Sequence, residues 1–241
     1  MEIAGYSNQG GRDYNEDSVR IYEESGRCCV AVADGLGGHG GGAAASAAAA
    51  GWIADSFKNG WEQSESRIQE IFRGANRKVL AQQSDTCKMK TTCVSLFIEG
   101  ASAIWAHIGD SRLYHFADGQ LEDYTLDHSV SQMAVLSGEI TRAQIRFHED
   151  RNRVLRALGA EGEIKPDIAS AKLDDGRFHA FLLCTDGFWE YVLEGEMEID
   201  LAKAASPSGW IQYMTERLQK KVNGKNDNYS AAAVFYNRTE E

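Results

Sequence analysis

Three apolar runs of strand length in this chain each stop at an aspartate that has glycine beside it. Asp34-Gly35 follows "CCVAVA", Gly109-Asp110 follows "AIWAHI", and Asp186-Gly187 follows "FHAFLLCT". A fourth acid, Asp227, sits just before the last apolar run in "NDNYSAAAVFY". Asp-Gly and Gly-Asp pairs are common in turns, and any one of these sites alone would be read as a turn. Four at matching strand ends is a different pattern. It fits a fold that carries its strand termini to one sheet edge and gathers the carboxylates there. Gathered carboxylates repel one another unless cations neutralise them, so the pattern predicts bound metal. An all-oxygen donor set without His or Cys partners selects hard, near-octahedral ions such as Mg2+ or Mn2+.

The runs Arg27–Ala33, Cys93–Ile98, Ala103–Ile108, Arg112–Phe116, Phe178–Cys184 and Ser230–Tyr236 read as buried strands. Asp118-Gly119 between "RLYHFA" and "QLEDYT" reads as a hairpin turn. A glycine loop after Asp34 leads into an alanine-rich helix over Ala43–Phe57. A second helix spans Ser66 to about Gln83, with Ser66 and Gln69 as its capping box, and a third runs from Ser206-Pro207 to Val222 with Ile211, Met214, Leu218 and Val222 inward. Strands, a helical pair, more strands and a last helix suggest antiparallel sheet with segregated helices, an α+β chain. Between about His128 and Pro166 the pattern turns mixed and polar, carrying Arg142, Arg146, Arg151, Arg153 and Arg156. This segment is read as a flap inserted over the main sheet, its arginines forming a solvated face or, alternatively, recognising an acidic or phosphorylated substrate.

Length and charge narrow the function. A chain of 241 residues with two prolines and no Pro-rich linker is expected to form one compact domain. Its formal net charge of −11, without a basic stripe, disfavours nucleic acid and anionic membranes as partners. No apolar stretch is long enough to span a bilayer and no secretory leader is apparent, so a cytoplasmic monomer is expected. The five cysteines form no C-x-x-C pair and read as reduced core residues. None is followed six positions later by Arg, which excludes a C-x5-R phosphate loop. The loop "GLGGHGGG" lacks the G-K-[ST] ending of a nucleotide-binding P-loop.

Beyond the aspartates, the stretches "RDYNEDS" (Arg12–Ser18), "ADGLGGH" (Ala33–His39), "KTT" (Lys90–Thr92), "IGDSRLY" (Ile108–Tyr114), "TLDHS" (Thr125–Ser129), "LRALG" (Leu155–Gly159), "LLCTDGFWE" (Leu182–Glu190) and "DNYS" (Asp227–Ser230) follow one another in a recognisable order. In that order and spacing the chain resembles the metal-dependent protein phosphatases of type 2C, the PPM family, and most of all their compact bacterial members. The resemblance extends from Gly5 to Tyr236. It implies an antiparallel β-sandwich flanked by helices in α-β-β-α layers, with a metal centre in a cleft at one end. Asp34 would bridge two Mg2+ or Mn2+ ions, the Gly35 carbonyl would bind one, and Asp186 and Asp227 the other. Asp110 would help hold a third, weaker ion. Glu16 and Asp17 would support the metals, Arg12 would grip the substrate phosphate, and the segment 128–166 would be the flap.

Two divalent ions sharing a water lower its pKa towards neutrality and supply hydroxide for in-line attack on a phosphoserine or phosphothreonine ester. The implied activity is a protein serine/threonine phosphatase opposing a kinase. His39 is the candidate general acid for the leaving oxygen. Leu36 occupies the place after Asp-Gly where eukaryotic members carry histidine, so a metal-bound water is the alternative acid. Lys90 stands where a glycine often precedes the paired threonines, and Ser230 where a threonine is usual; neither change removes a ligand. Two other functions share this fold: a catalytically silent phosphoprotein-binding module and a small-molecule phosphohydrolase. The remaining histidines (His107, His115, His128, His148 and His179) are read as structural or surface residues, and Trp189 as core.

Overall fold

The computed structural model describes residues 1–37, 41–173 and 176–237. In chain order its strands are β1 (Glu2–Asn8), β2 (Asp17–Glu24), β3 (Arg27–Leu36), β4 (Lys90–Thr91), β5 (Cys93–Glu99), β6 (Ser102–Ile108), β7 (Arg112–Ala117), β8 (Gln120–Tyr124), β9 (Asp167–Lys172), β10 (His179–Cys184) and β11 (Tyr229–Tyr236). The helices are α1 (Gly41–Asn59), α2 (Glu65–Leu80), α3 (Val130–Leu136), α4 (Asp186–Trp189), α5 (Glu194–Lys203) and α6 (Pro207–Lys221), with a 3-10 turn over Arg142–Phe147.

Every pairing is antiparallel. One sheet has the order β1-β11-β10-β7-β8; the other has β2-β3-β5-β6-β9, with β4 paired to the end of β3. Residues such as Val30, Val32, Leu96, Phe181 and Val234 fill the space between the sheets. Ala45, Ala49, Ile53, Ile68 and Phe72 pack α1 and α2 onto the outer face of the second sheet. Met197, Trp210, Met214 and Leu218 pack α5 and α6 onto the first. The result is antiparallel sheet with segregated helices, as the element order predicts, in the α-β-β-α sandwich that the family resemblance implies.

The central strands β3, β5, β6, β7, β10 and β11 are apolar on both faces because both faces are covered, and they lie where the apolar runs place them. Asp118 and Gly119 both adopt positive φ, 48° and 81°, the geometry of a two-residue hairpin turn between β7 and β8. Ser206 caps α6 by accepting from Gly209 N–H at 3.2 Å. The start of α2 differs from expectation: Ser64, not Ser66, is the cap, accepting from Arg67 N–H at 3.2 Å, and the helix ends at Leu80. Ser64 takes the extended conformation that a cap requires, whereas Ser66 already lies in the first turn and bonds to the Ser64 hydroxyl. The five cysteines are unpaired thiols, four of them buried.

Candidate active site

The ends of β3, β6, β10 and β11 open on one side of the sandwich into a cleft of about 610 Å³. Asp34, Gly35, Asp110, Asp186, Asp227, Glu16 and Arg12 all line it, and Asp17 stands directly across from Asp34 in the β2–β3 register. The topology therefore brings together every candidate within the described residues; His39 lies outside them. Like charges directly opposite in a strand pair destabilise the ladder, so Asp17 and Asp34 are placed at a cost.

Gly35 is fixed by close approach. A Cβ there would stand 2.2 Å from the Gly42 carbonyl oxygen and 2.7 Å from that of Glu16, so only glycine lets β3 run against the start of α1. Gly109 needs its hydrogen for a second reason as well, since its φ of +104° is left-handed and a Cβ would meet Thr92 at 2.6 Å.

The carboxylates are strained electrostatically. Burial, then the neighbouring Asp186, Asp17, Asp110 and Asp227, push the Asp34 carboxyl well above the usual carboxylate range. Burial, then Asp110, Glu190, Asp227 and Asp17, do the same to Asp186. Burial lifts Asp17 and Asp110 to about 7. One oxygen each of Asp17, Asp110 and Asp186 is buried without a hydrogen-bond partner. A buried acceptor left unpaired costs roughly 1–3 kcal/mol, so three at one cleft form an incomplete donor set that suits an oxygen-loving cation.

A ring of polar groups holds these acids in place. Thr185 Oγ1 donates to Asp17 Oδ2 at 3.0 Å, and Asp34 N–H donates to Thr92 Oγ1 at 3.1 Å. Trp189 Nε1 donates to the Asp110 carbonyl at 2.9 Å, which adds a tether to the core role expected of this side chain. Asn228 is the main staple: its side-chain amide donates to the carbonyls of Gln9 and Tyr14, and its Oδ1 accepts from Glu16 N–H at 2.8 Å. Glu16 Oε1 accepts from Gly42 N–H in the first turn of α1, at 3.1 Å. The sequence hints at Asn228 only through its place beside Asp227.

Arg12 is engaged rather than free. Its Nε donates to Asp227 Oδ1 at 2.8 Å and its terminal nitrogen to Oδ2 at 2.6 Å, a bidentate pair at the cleft mouth. Arg153 and Arg156, with side chains 68% and 54% exposed, form part of the solvated face expected of the segment 128–166, whereas Arg142, Arg146 and Arg151 are engaged within the fold. Arg146 is buried and donates to the Trp189 carbonyl at 3.1 Å and to Glu194 at 3.0 Å. Arg142 shares Glu194, and Arg151 pairs with Glu190 at 2.9 Å. Arg153 and Arg156 pair with Asp150 and Asp167. Three of these five cations thus clamp the segment onto the end of α4, the short helix that begins with Asp186, and the start of α5.

Among the described residues a second group of ligand-type side chains comes together: His107, His128 and Asp167, whose donor atoms all lie within 4.8 Å of one another. The hydrogen bonds of His128 argue against its serving as a metal ligand. The buried Gly109 N–H donates to His128 Nδ1 at 3.1 Å, which uses the single lone pair of a neutral imidazole. The Arg156 guanidinium stands 3.1 Å from the other ring nitrogen, and His107 Nε2 is 2.7 Å from the Leu126 carbonyl. The two rings stack 4.6 Å apart and act as structural residues.

Burial, with His128 beside it, holds His107 at about 4 against an ordinary 6.5. Between those values the unfolded chain binds more protons than the folded one, so stability is expected to fall as pH drops through the window, by about 3 kcal/mol in full. The difference in urea midpoint between wild type and His107→Gln checks this: it should shift with pH from 6.5 towards 4, and a constant difference would refute it.

A two-sheet sandwich whose strand ends gather buried carboxylates suits the class of metal-dependent enzymes. A family model described as protein phosphatase 2C matches residues 4–227. The chain belongs to this metal-dependent family and is a protein serine/threonine phosphatase, a hydrolase acting on phosphoproteins. It is 32% identical to the serine/threonine phosphatase stp of Listeria monocytogenes over 196 residues, 78% of this chain and 77% of the relative. The crystal structure of serine/threonine phosphatase Stp1 from Staphylococcus aureus superposes with a TM-score of 0.85 at 28% identity, covering 97% of this chain and 94% of the other. The catalytic domain of serine threonine protein phosphatase PstP, solved with two manganese ions, superposes at 0.83 and 26% identity, covering 97% of each chain.

Proposed function

We propose that the cleft is a binuclear Mg2+ or Mn2+ centre that hydrolyses phosphoserine and phosphothreonine in proteins phosphorylated by an opposing kinase in the cytoplasm. The observation that carries the reading is the set of unpaired buried oxygens on Asp17, Asp110 and Asp186 around one cleft. Asp34 would be shared by two ions, with the Gly35 carbonyl on one and Asp186 and Asp227 on the other. Asp110 would serve a third, weaker site, and Glu16 and Asp17 would support the set. When bound, such ions supply Lewis acidity, lower the pKa of water and offset phosphate charge.

The chain's own residues bind and orient. The Arg12 fork matches phosphate geometry as well as carboxylate geometry. Both Asp227 oxygens hold the Arg12 fork at the cleft mouth; were Asp227 to hold a cation instead, Arg12 would be released there to bind a phosphoryl group. Trp189, Thr92, Thr185 and Asn228 hold the acids still, and the segment 128–166 forms a flap that contributes Asn152 and Val154 to the wall. His39 is retained as the candidate general acid.

Turnover of p-nitrophenyl phosphate and of a phosphothreonine peptide, each with Mn2+ and with EDTA, tests the reading. Mn2+-dependent hydrolysis of both, with the peptide preferred in competition, is expected. No turnover by folded protein in Mn2+ refutes it, and preference for small phosphoesters would replace the protein substrate with a small one. Arg12→Ala should lower kcat/KM by about 10²-fold or more, the scale of losing one preorganised charge-stabilising group. Arg12→Lys should recover little of this, because an ammonium cannot form the bidentate pair.

A further inference from the structure

Beside the cleft lies a second pocket of about 230 Å³, and Leu36 and Val154 line both. One wall is the end of β4; the other is the chain from Val154 to Lys165, held against it by the Thr91 and Leu158 backbones, which exchange hydrogen bonds of 3.0 and 2.8 Å. Its volume falls below the roughly 300–1,000 Å³ of small-molecule sites and suits a side chain or two. Ile108 and Ile164 make an apolar floor, and Leu155, 57% exposed, stands on the rim.

The charges at this pocket are unlike those of the rest of the chain. Lys90, Lys165 and Arg156 face it, against Glu161 and Glu163, in a chain of net charge −11. Arg156 already bonds Asp167 at 3.1 Å, and Glu163 lies 3.9 Å from Arg73. Lys90 and Lys165 are exposed, and among the described residues neither side chain has a hydrogen bond or ion pair. Two uncommitted ammonium groups over an apolar floor, adjoining a cleft lined by carboxylates, are complementary to an anionic side chain on a polypeptide whose phosphorylated residue occupies that cleft.

We infer that this pocket is a specificity subsite that receives an acidic side chain flanking the phosphorylated residue of the substrate, held by Lys90 and Lys165. The inference rests on the phosphoprotein reading of the cleft. The ammonium groups add binding to the flanking chain and take no part in the chemistry, so their effect is on which peptide is chosen.

Matched phosphothreonine peptides carrying Glu, Ala or Lys at each near flanking position in turn test it, using wild type and Lys90→Glu/Lys165→Glu. At one position at least, wild type should prefer Glu over Lys by about fivefold in kcat/KM, the scale of one or two partly exposed ion pairs. The double variant should invert that preference, a result that loss of folding cannot produce. Equal use of Glu and Lys peptides by wild type, or an unchanged preference in the variant, overturns the inference. Failure of the cleft reading is seen separately, as absent wild-type turnover of p-nitrophenyl phosphate in Mn2+. In that event fluorescence anisotropy with the same labelled peptides still decides the pocket: tighter binding of the Glu peptide that reverses in the variant supports it, and equal binding overturns it.

Discussion

Asp34→Asn is expected to abolish Mn2+-dependent phosphatase activity, by about a thousandfold or more, while raising the melting temperature of the metal-free protein. The two effects have one cause. Asp34 stands across from Asp17, and Asp186, Asp110 and Asp227 all act to raise its pKa, so the folded chain concentrates negative charge where burial weakens solvation. An amide of the same shape removes one of those charges and keeps the backbone bond from Asp34 N–H to Thr92. Relief of about 1–2 kcal/mol corresponds to a rise of roughly 2–8 °C for a domain of this size. Wild type should respond to Mn2+ in the opposite proportion, gaining about 2.7 kcal/mol at a hundredfold excess over Kd, and the variant should lose most of that gain. Thermal shift with and without Mn2+, beside a turnover assay, reads both arms. A metal-free variant less stable than wild type would contradict the repulsion argument, and retained turnover would contradict the ligand assignment.

The positions of these acids were legible because each marks the end of a strand covered on both faces. Such strands are continuous apolar runs, and their ends are where polar residues resume. Besides the two-residue β4, the strands with no apolar run to mark them are the four sheet edges, β1, β2, β8 and β9, of which only β8 is signalled, through its hairpin turn. Each has at least one face towards solvent, and runs such as "DSVRIYEE" and "DIASAK" have no apolar block to reveal them. The helix α5 hides for a related reason. Of "EGEMEIDLAK" only Met197, Asp200 and Leu201 are buried, too few to stand out.

The support of the site was less legible than its acids, because its partners meet only through the fold. Asn228 serves Glu16 from 212 residues away, and Trp189 serves Asp110 from 79. The arginines of the segment 128–166 are conspicuous in the sequence, but nothing local says that Glu190 and Glu194 await them. The charge spacing exposes such a cluster; only the topology shows that three of its members are consumed internally.

Removing Arg112 is expected to have the largest effect on stability. Its guanidinium donates to both oxygens of Asp127 at 2.7 Å, with the two side chains only 3% and 2% exposed, and lies 3.4 Å from the Trp189 ring centroid. Arg112→Ala leaves the Asp127 carboxylate buried and unpaired, a loss of about 3–5 kcal/mol, or on the order of 10 °C in melting temperature. Arg112→Met/Asp127→Leu removes both charges and refills the space, so it should recover most of that loss, since desolvation offsets much of what a buried pair contributes. The double variant should still need more Mn2+ than wild type for half-maximal activity, because Trp189 loses the cation stacked on its face while its N–H continues to tether Asp110. Equal destabilisation in the single and double variants would mean that packing against Trp189, not the buried charge pair, is what Arg112 contributes. An unchanged Mn2+ requirement would mean that the Trp189 tether to Asp110 holds without help from the guanidinium beneath it.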